Sequence, residues 1–159
     1  MWRERDPQTM QTVSAKVKPI PEGYHSVTPY MIVDNATKLI DFIKQTFNAE
    51  ERERIMVPGG RVSHAELKIG DSVVMLSDPS EEFKAMPSMI YVYVDDIDRV
   101  YARALEAGAT PLREPKNQFY GDRNANIKDP FGNVWGIATH IEDVPPEELQ
   151  RRIKESMAS

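Results

Sequence analysis

His64 and Glu66 stand two residues apart in the run Arg61-Val62-Ser63-His64-Ala65-Glu66-Leu67-Lys68-Ile69. Ala65, Leu67 and Ile69 alternate there with His64, Glu66 and Lys68, the period of a strand with one buried face. The imidazole and carboxylate then share the other face, their Cα atoms roughly 6.6 Å apart at about 3.3 Å rise per residue. A carboxylate beside an imidazole favours the charged ring and orients it, so the pair suits a general base. It equally suits two ligands of one divalent cation, or a polar pair with Arg61 or Lys68 at a solvated sheet edge. The chain has no cysteine, which removes thiol nucleophiles, Cys-ligated zinc and iron–sulfur clusters. It also separates this His-x-Glu string from that of zinc deaminases, which need a Pro-Cys-x-x-Cys partner.

Gly70-Asp71 is a two-residue hairpin signal, and Ser72 to Ser77 returns as an apolar strand. That register sets Glu66 opposite Met75 and His64 opposite Ser77, on the same face. The surface so built is lined by Thr28, Tyr30, His64, Glu66, Met75, Met89, Tyr91, Tyr93 and Gly136. His140 either joins it or caps the turn at Glu142-Asp143. Aromatic rings and thioethers with few charges suit a small-molecule pocket. Tyr91 and Tyr93 either stack a planar ligand or pack as ordinary sheet residues. In Phe119-Tyr120-Gly121-Asp122-Arg123, Tyr120 is a further ligand-binding candidate, and Arg123 either clamps an anion or pairs with Asp122 or Asp129. His25 is expected to be exposed and Trp135 to lie in the core.

The elements that must position these residues occur twice. A strand, an Asp-started helix and a Gly-punctuated hairpin recur at a constant offset of 61, with Tyr30, Val33, Asp34, Arg52, Glu53, Gly60 and Val73 matching Tyr91, Val94, Asp95, Arg113, Glu114, Gly121 and Val134. The first unit reads as a strand over 25–33, a helix capped by Asp34 or Asn35 with Leu39, Ile40, Ile43 and Phe47 inward, and the hairpin 62–77. The second has a strand over 89–94, a helix from Asp96 with Ile97, Val100, Tyr101 and Ala104 inward, the turn Asp129-Pro130-Phe131-Gly132 and a last strand over 133–140. Residues 78–87 read as a linker or lid, and the run Glu50-Glu51-Arg52-Glu53-Arg54 as a solvated edge. Residues 1–22 read as a flexible arm, 24–80 and 86–141 as the two modules, and 145–157 as a C-terminal helix with acids in its first turn and bases in its last.

A chain of 159 residues with a formal charge of −5 has room for one ordinary core and argues against nucleic acid as a partner. No apolar run suits a signal peptide or a membrane span, so a cytoplasmic location is expected.

The order and spacing of VTPYMIVDNATKLIDFIKQTF, RVSHAELKIGDSVVMLSD, YVYVDDIDRVYARALEAGA and DPFGNVWGIATHIEDV resemble the vicinal oxygen chelate superfamily. This is the glyoxalase, bleomycin-resistance and extradiol-dioxygenase group, and the chain is most similar to its PhnB-like branch over residues 24 to 150. The resemblance implies an α+β fold of two tandem βαβββ modules whose curved mixed sheets form cups with helices on the convex face, assembled as a homodimer. It places the family's metal-ligand positions on Thr28, Met75, Met89 and Gly136, none a good divalent-metal ligand. The expectation is therefore a small-molecule-binding protein with no cofactor. The alternatives are a divalent-metal-dependent, glyoxalase-type lyase or isomerase, or a dioxygenase-related enzyme, with a displaced site at His64 and Glu66, and a protein-interaction module.

Overall fold

In the computed structural model, which describes residues 16–159, the first unit runs β1 (Tyr30–Ile32), α1 (Ala36–Phe47), β2 (Glu50–Val57), β3 (Arg61–Ile69) and β4 (Ser72–Ser77). The second runs β5 (Met89–Tyr93), α2 (Ile97–Glu106), β6 (Thr110–Asn117), β7 (Asp122–Lys128) and β8 (Val134–His140), and α3 (Pro146–Met157) follows. Each unit builds one four-stranded sheet, in the orders β1-β4-β3-β2 and β5-β8-β7-β6. The first strand of each unit lies parallel to the last, and the other pairs are antiparallel. The sheets are curved and open, and the fold is the α+β pair of βαβββ modules that the resemblance implies.

Periodicity alone suggests a helix followed by a hairpin, but each unit has a third strand, β2 or β6, before it. Both are edge strands whose residues are nearly all exposed or half-exposed. Charged side chains, and Pro111 and Pro115 on β6, are what a sheet edge tolerates. The first strand is shorter than 25–33 because Pro29 has no N–H to extend the ladder; its carbonyl accepts from Met75 N at 2.9 Å.

The offset of 61 is not constant. On β1/β5 and β4/β8 it holds, since Tyr30 pairs with Met75 as Tyr91 pairs with Gly136. On β3/β7 it falls to 60: Glu66 faces Met75 whereas Asn126 faces Gly136. From the start of the helix to the start of the edge strand the second unit is one residue shorter, and one residue is added in its last turn. Asn124 and Asn126 are therefore the counterparts of His64 and Glu66.

The helices cover one face of both sheets and close a single core. Leu39, Ile40 and Ile43 of α1 are fully buried, with Ile97, Val100 and Ala104 of α2, Leu67 of β3 and Ile137 of β8 in the same cluster. Phe47 meets Trp135 across the units with ring centroids 5.0 Å apart, and Trp135 is fully buried. Asp96 caps α2 by accepting from Arg99 N at 3.1 Å. At α1 the cap comes from elsewhere: Asn35 has a left-handed backbone (φ 69°) and makes no side-chain cap. Asp78 instead accepts from Ala36 N at 2.9 Å and from Val62 N at 2.7 Å, tying the exit of β4 to α1 and β3.

Residues 78–87 double back over β1, where Met86 N donates to Ile32 O at 3.1 Å. Of the arm expected over 1–22, residues 1–15 lie outside the described residues, and 16–22 are exposed. α3 buries no side chain and is held by Arg152, which donates to Glu142 at 2.7 and 3.0 Å and to the Phe119 carbonyl at 3.0 Å.

Candidate functional site

Strand register lays a row of side chains across the open face of the first sheet. Tyr30 on β1 pairs with Met75 on β4, Met75 with Glu66 on β3, and Glu66 with Glu53 on β2. A left-handed Gly70 (φ 57°) makes the tight turn that sets the β3–β4 part of that register. His64 lies one pleat along from Glu66. Its Nε2 is 3.0 Å from Glu66 Oε1, and its Nδ1 is 3.2 Å from the Tyr30 hydroxyl. Tyr24, entering ahead of β1, donates its hydroxyl to Glu66 Oε2, and the Arg52 guanidinium lies 5.8 Å from the Tyr24 ring centre.

Glu66 is 7% exposed. Burial pushes its carboxyl up, but hydrogen bonds from Tyr24 and His64 outweigh burial and hold it below the usual carboxylate value. The same contact with Glu66 raises Tyr24 above an ordinary phenol. Glu53, His64 and Glu66 each bring a possible ligand atom within 4.8 Å of the others. Tyr24 and Glu53 were not legible as site residues. Glu53 reaches Glu66 only through an irregularity in β2 between Glu51 and Glu53.

Two cavities open on this face, on either side of the Tyr30–His64 pair. The smaller, about 350 Å³, is walled by Pro19, Ile20, Tyr24, Thr28, Glu66 and Met75. The larger, about 720 Å³, lies under residues 78–87; Ile32, Val57, Val62, Phe83 and Met86 make it apolar, with Tyr30 and Arg61 among its polar groups. Arg61 donates to the Pro79 carbonyl and forms no ion pair among the described residues.

The second sheet is arranged differently. The Tyr91 ring packs close against Gly136: a Cβ on Gly136 would stand 2.5 Å from Tyr91 Cδ2. Asn124 donates to the hydroxyls of Tyr91 at 3.2 Å and Tyr120 at 2.7 Å, and accepts from Gln118 at 3.0 Å. Asp122, 4% exposed, accepts from Tyr93 at 3.0 Å and more distantly from Tyr91 at 3.4 Å. His140 bridges Asp143 at 2.7 Å and Asp122 at 2.8 Å, and those two carboxylates raise its pKa above the usual imidazole value. Arg123 turns away toward α2, donating twice to Asp98 at 2.9 Å and once to Asn117 at 3.1 Å. Met89 and Tyr93 are 68% and 63% exposed. His64, Glu66, Tyr30 and Met75 thus come together on one face, while Tyr91, Tyr93, Tyr120 and His140 form a separate cluster on the other sheet.

The profile of the Glyoxalase/Bleomycin resistance protein/Dioxygenase superfamily matches residues 23–137. The chain belongs to that superfamily. It is 33% identical over 154 residues to uncharacterized protein Rv0887c of Mycobacterium tuberculosis H37Rv, covering 90% of this chain and 87% of the relative. Its fold matches TioX from Micromonospora sp. ML1 with a TM-score of 0.64 at 20% identity, covering 74% of this chain and 99% of that one. A PhnB protein from Bacillus cereus matches with a TM-score of 0.56 at 17% identity, covering 72% and 99%.

As a glyoxalase-superfamily chain it must be tested for a divalent metal at Thr28, Met75, Met89 and Gly136. Two thioethers, one hydroxyl and no side chain do not fit a hard or borderline cation, and the Tyr91 ring covers the Gly136 position. Among the described residues no helix is long and apolar enough to cross a membrane.

Proposed function

We propose that this chain is a cytoplasmic, small-molecule-binding member of the superfamily that works without a metal at the family positions and binds its ligand on the open face of the first sheet. The observation that carries this is the cavity of about 720 Å³ beside Tyr30, apolar on most sides with the Arg61 guanidinium among its polar groups. That combination suits a partly aromatic ligand bearing an anionic group. The exposed Met89 and Tyr93 on the second sheet support a homodimer that covers them.

The rival reading, a glyoxalase-type metal-dependent lyase or isomerase, has Glu53, His64 and Glu66 to draw on. Both ring nitrogens of His64 and both oxygens of Glu66 already have protein partners, which favours the metal-free reading.

The test titrates 8-anilinonaphthalene-1-sulfonate into the folded protein, before and after Arg61→Gln, with elemental analysis of the untagged sample alongside. Saturable binding that weakens about tenfold in the variant is expected, the loss of one charge-assisted hydrogen bond. Binding indifferent to Arg61 refutes the site. Stoichiometric metal that disappears in His64→Ala refutes the metal-free reading.

A further inference from the structure

We propose that Tyr30 is a proton-transfer residue for the molecule held in the larger cavity, with His64 and Glu66 behind it as a relay. This rests on the reading of that cavity as the binding site. The direction of the hydrogen bonds follows from one fact: Glu66, held ionised by its donors, can only accept. In the neutral form of the His64 ring the proton sits on Nε2, aimed at Glu66 Oε1 at 3.0 Å, and leaves a lone pair on Nδ1. The Tyr30 hydroxyl, 3.2 Å from Nδ1, is therefore the donor. Tyr24, bonded to the second oxygen of Glu66, holds the carboxylate in place. Tyr30 lines the larger cavity, whereas His64 does not, so the phenol is the group that meets a ligand there.

In a transfer step, Tyr30 Oη takes a weakly acidic proton from the bound ligand as its own proton passes to His64 Nδ1. The imidazolium so formed is balanced by Glu66, and the ligand keeps the electron pair. No oxidant or reductant enters. Glu53 and Arg52 beside the relay, and Arg61 in the wall of the same cavity as Tyr30, are other charged groups near it.

The second sheet provides an internal comparison. Tyr91 occupies the place of Tyr30, but Asn124 and Asn126 stand where His64 and Glu66 do. Asn124 donates to the Tyr91 oxygen through its amide, and the acceptor this phenol reaches is the Asp122 carboxylate at 3.4 Å, which Tyr93 holds more closely, so no imidazole stands beside it. Two tyrosines in matching positions thus have different hydrogen-bond environments, and only Tyr30 has an imidazole at 3.2 Å to take its proton.

The experiment uses benzenesulfonyl fluoride on the full chain. Tyrosine oxygen attacks sulfur, the S–O bond forms, the S–F bond breaks, fluoride leaves, and the phenolic proton goes to His64. Labelled sites are read by peptide mass spectrometry. Tyr30 is expected to label at least about tenfold faster than Tyr91 or the more exposed Tyr93, a modest share of the 10²–10⁴-fold that general-base catalysis ordinarily contributes. His64→Asn, which copies the second sheet, should bring Tyr30 down to the rate of Tyr91. Glu66→Gln, which keeps the shape but not the charge, should slow it several-fold with the melting temperature checked in parallel. Labelling of Tyr30 no faster than Tyr93, or unchanged in His64→Asn, overturns the proposal. Because the sulfonyl fluoride carries no anion, the two readings fail separately: dye binding indifferent to Arg61→Gln with fast, His64-dependent labelling of Tyr30 refutes the binding site alone, and dye binding that weakens in Arg61→Gln with slow labelling of Tyr30 refutes the relay alone.

Discussion

Substituting Gly136 by alanine tests whether the second sheet is closed by its own tyrosine. Gly136 does not have a positive φ, so alanine is conformationally acceptable there and would by itself stabilise a strand by about 0.5–1 kcal/mol. Against this, the new Cβ lies 2.5 Å from Tyr91 Cδ2 and 3.0 Å from Cε2, well inside contact distance. The ring must tilt away, and crowding of this kind costs about 1–3 kcal/mol. It also gives up the hydrogen bond from Asn124 and the long one to Asp122, about 0.5–1.5 kcal/mol more. The net is a destabilisation of about 0.5–4 kcal/mol, or a fall in Tm of about 1–16 °C for a chain of this size. With Tyr91→Ala in the background the clash is gone, and Gly136→Ala should become neutral or stabilising. Thermal and urea unfolding of the four proteins followed by circular dichroism closes the cycle. An equal cost of Gly136→Ala in both backgrounds would refute the reasoning, because the penalty would then not come from the ring.

Asp129 is 4% exposed and accepts from Phe131 N, Asn133 N, Asn133 Nδ2 and the buried Trp135 Nε1 at 2.8–3.0 Å, so Asp129→Ala strands several buried donors and should destabilise by at least about 3 kcal/mol in urea unfolding. Asp129→Asn, which keeps one acceptor oxygen, should lose less. His140 has a folded pKa raised by Asp143 and Asp122, so its contribution to stability is fully present below the unfolded value near 6.5 and is lost as pH rises through the folded value. An NMR titration should find the His140 ring titrating above 6.5, and His140→Gln should flatten the fall in stability over that window; a ring titrating at or below 6.5 contradicts the bridge.

Where side-chain period and turn chemistry act locally, the sequence was a good guide. Strict alternation from Ala65 to Ile69 and the turn at Gly70-Asp71 leave one register, and that register puts Glu66 against Met75 with His64 beside it. The edge strands escaped because both their faces are wet and their pairing is interrupted by register shifts, which erases the period that betrays a strand. The same irregularity hid Glu53, whose place opposite Glu66 depends on it. Tyr24 escaped for a different reason: its contact with Glu66 spans 42 residues and depends on the path of a segment that has no regular structure. A constant offset of 61 would equate Glu66 with the fully buried Ile127 rather than with Asn126. A missing residue before β6 and an extra one before β8 cancel over the whole unit, so the count agrees at both ends and fails in the middle.

That slip bears on how the two cups divide their work. Once Asn124 and Asn126 are aligned with His64 and Glu66, the sheets differ at every position that handles protons while sharing the tyrosine that would meet a ligand. On the second sheet Tyr91, Tyr93, Tyr120, Asn124, Asp122 and His140 satisfy one another, so a ligand entering there would have to break paired groups before making any contact. On the first, Met75 stands in the place of Gly136 and is paired with Tyr30 across β1 and β4, and the Tyr30 ring lies beside His64 with centroids 5.8 Å apart and lines the larger cavity. We expect the side chain at that position to prop up the phenol, because the glycine of the second sheet leaves room for the Tyr91 ring close to its backbone. Met75→Gly would let Tyr30 collapse as Tyr91 does, and the expected result is slower sulfonylation of Tyr30 together with weaker dye binding. Labelling that survives Met75→Gly unchanged would mean that His64 alone, without the prop, sets the position of the ring.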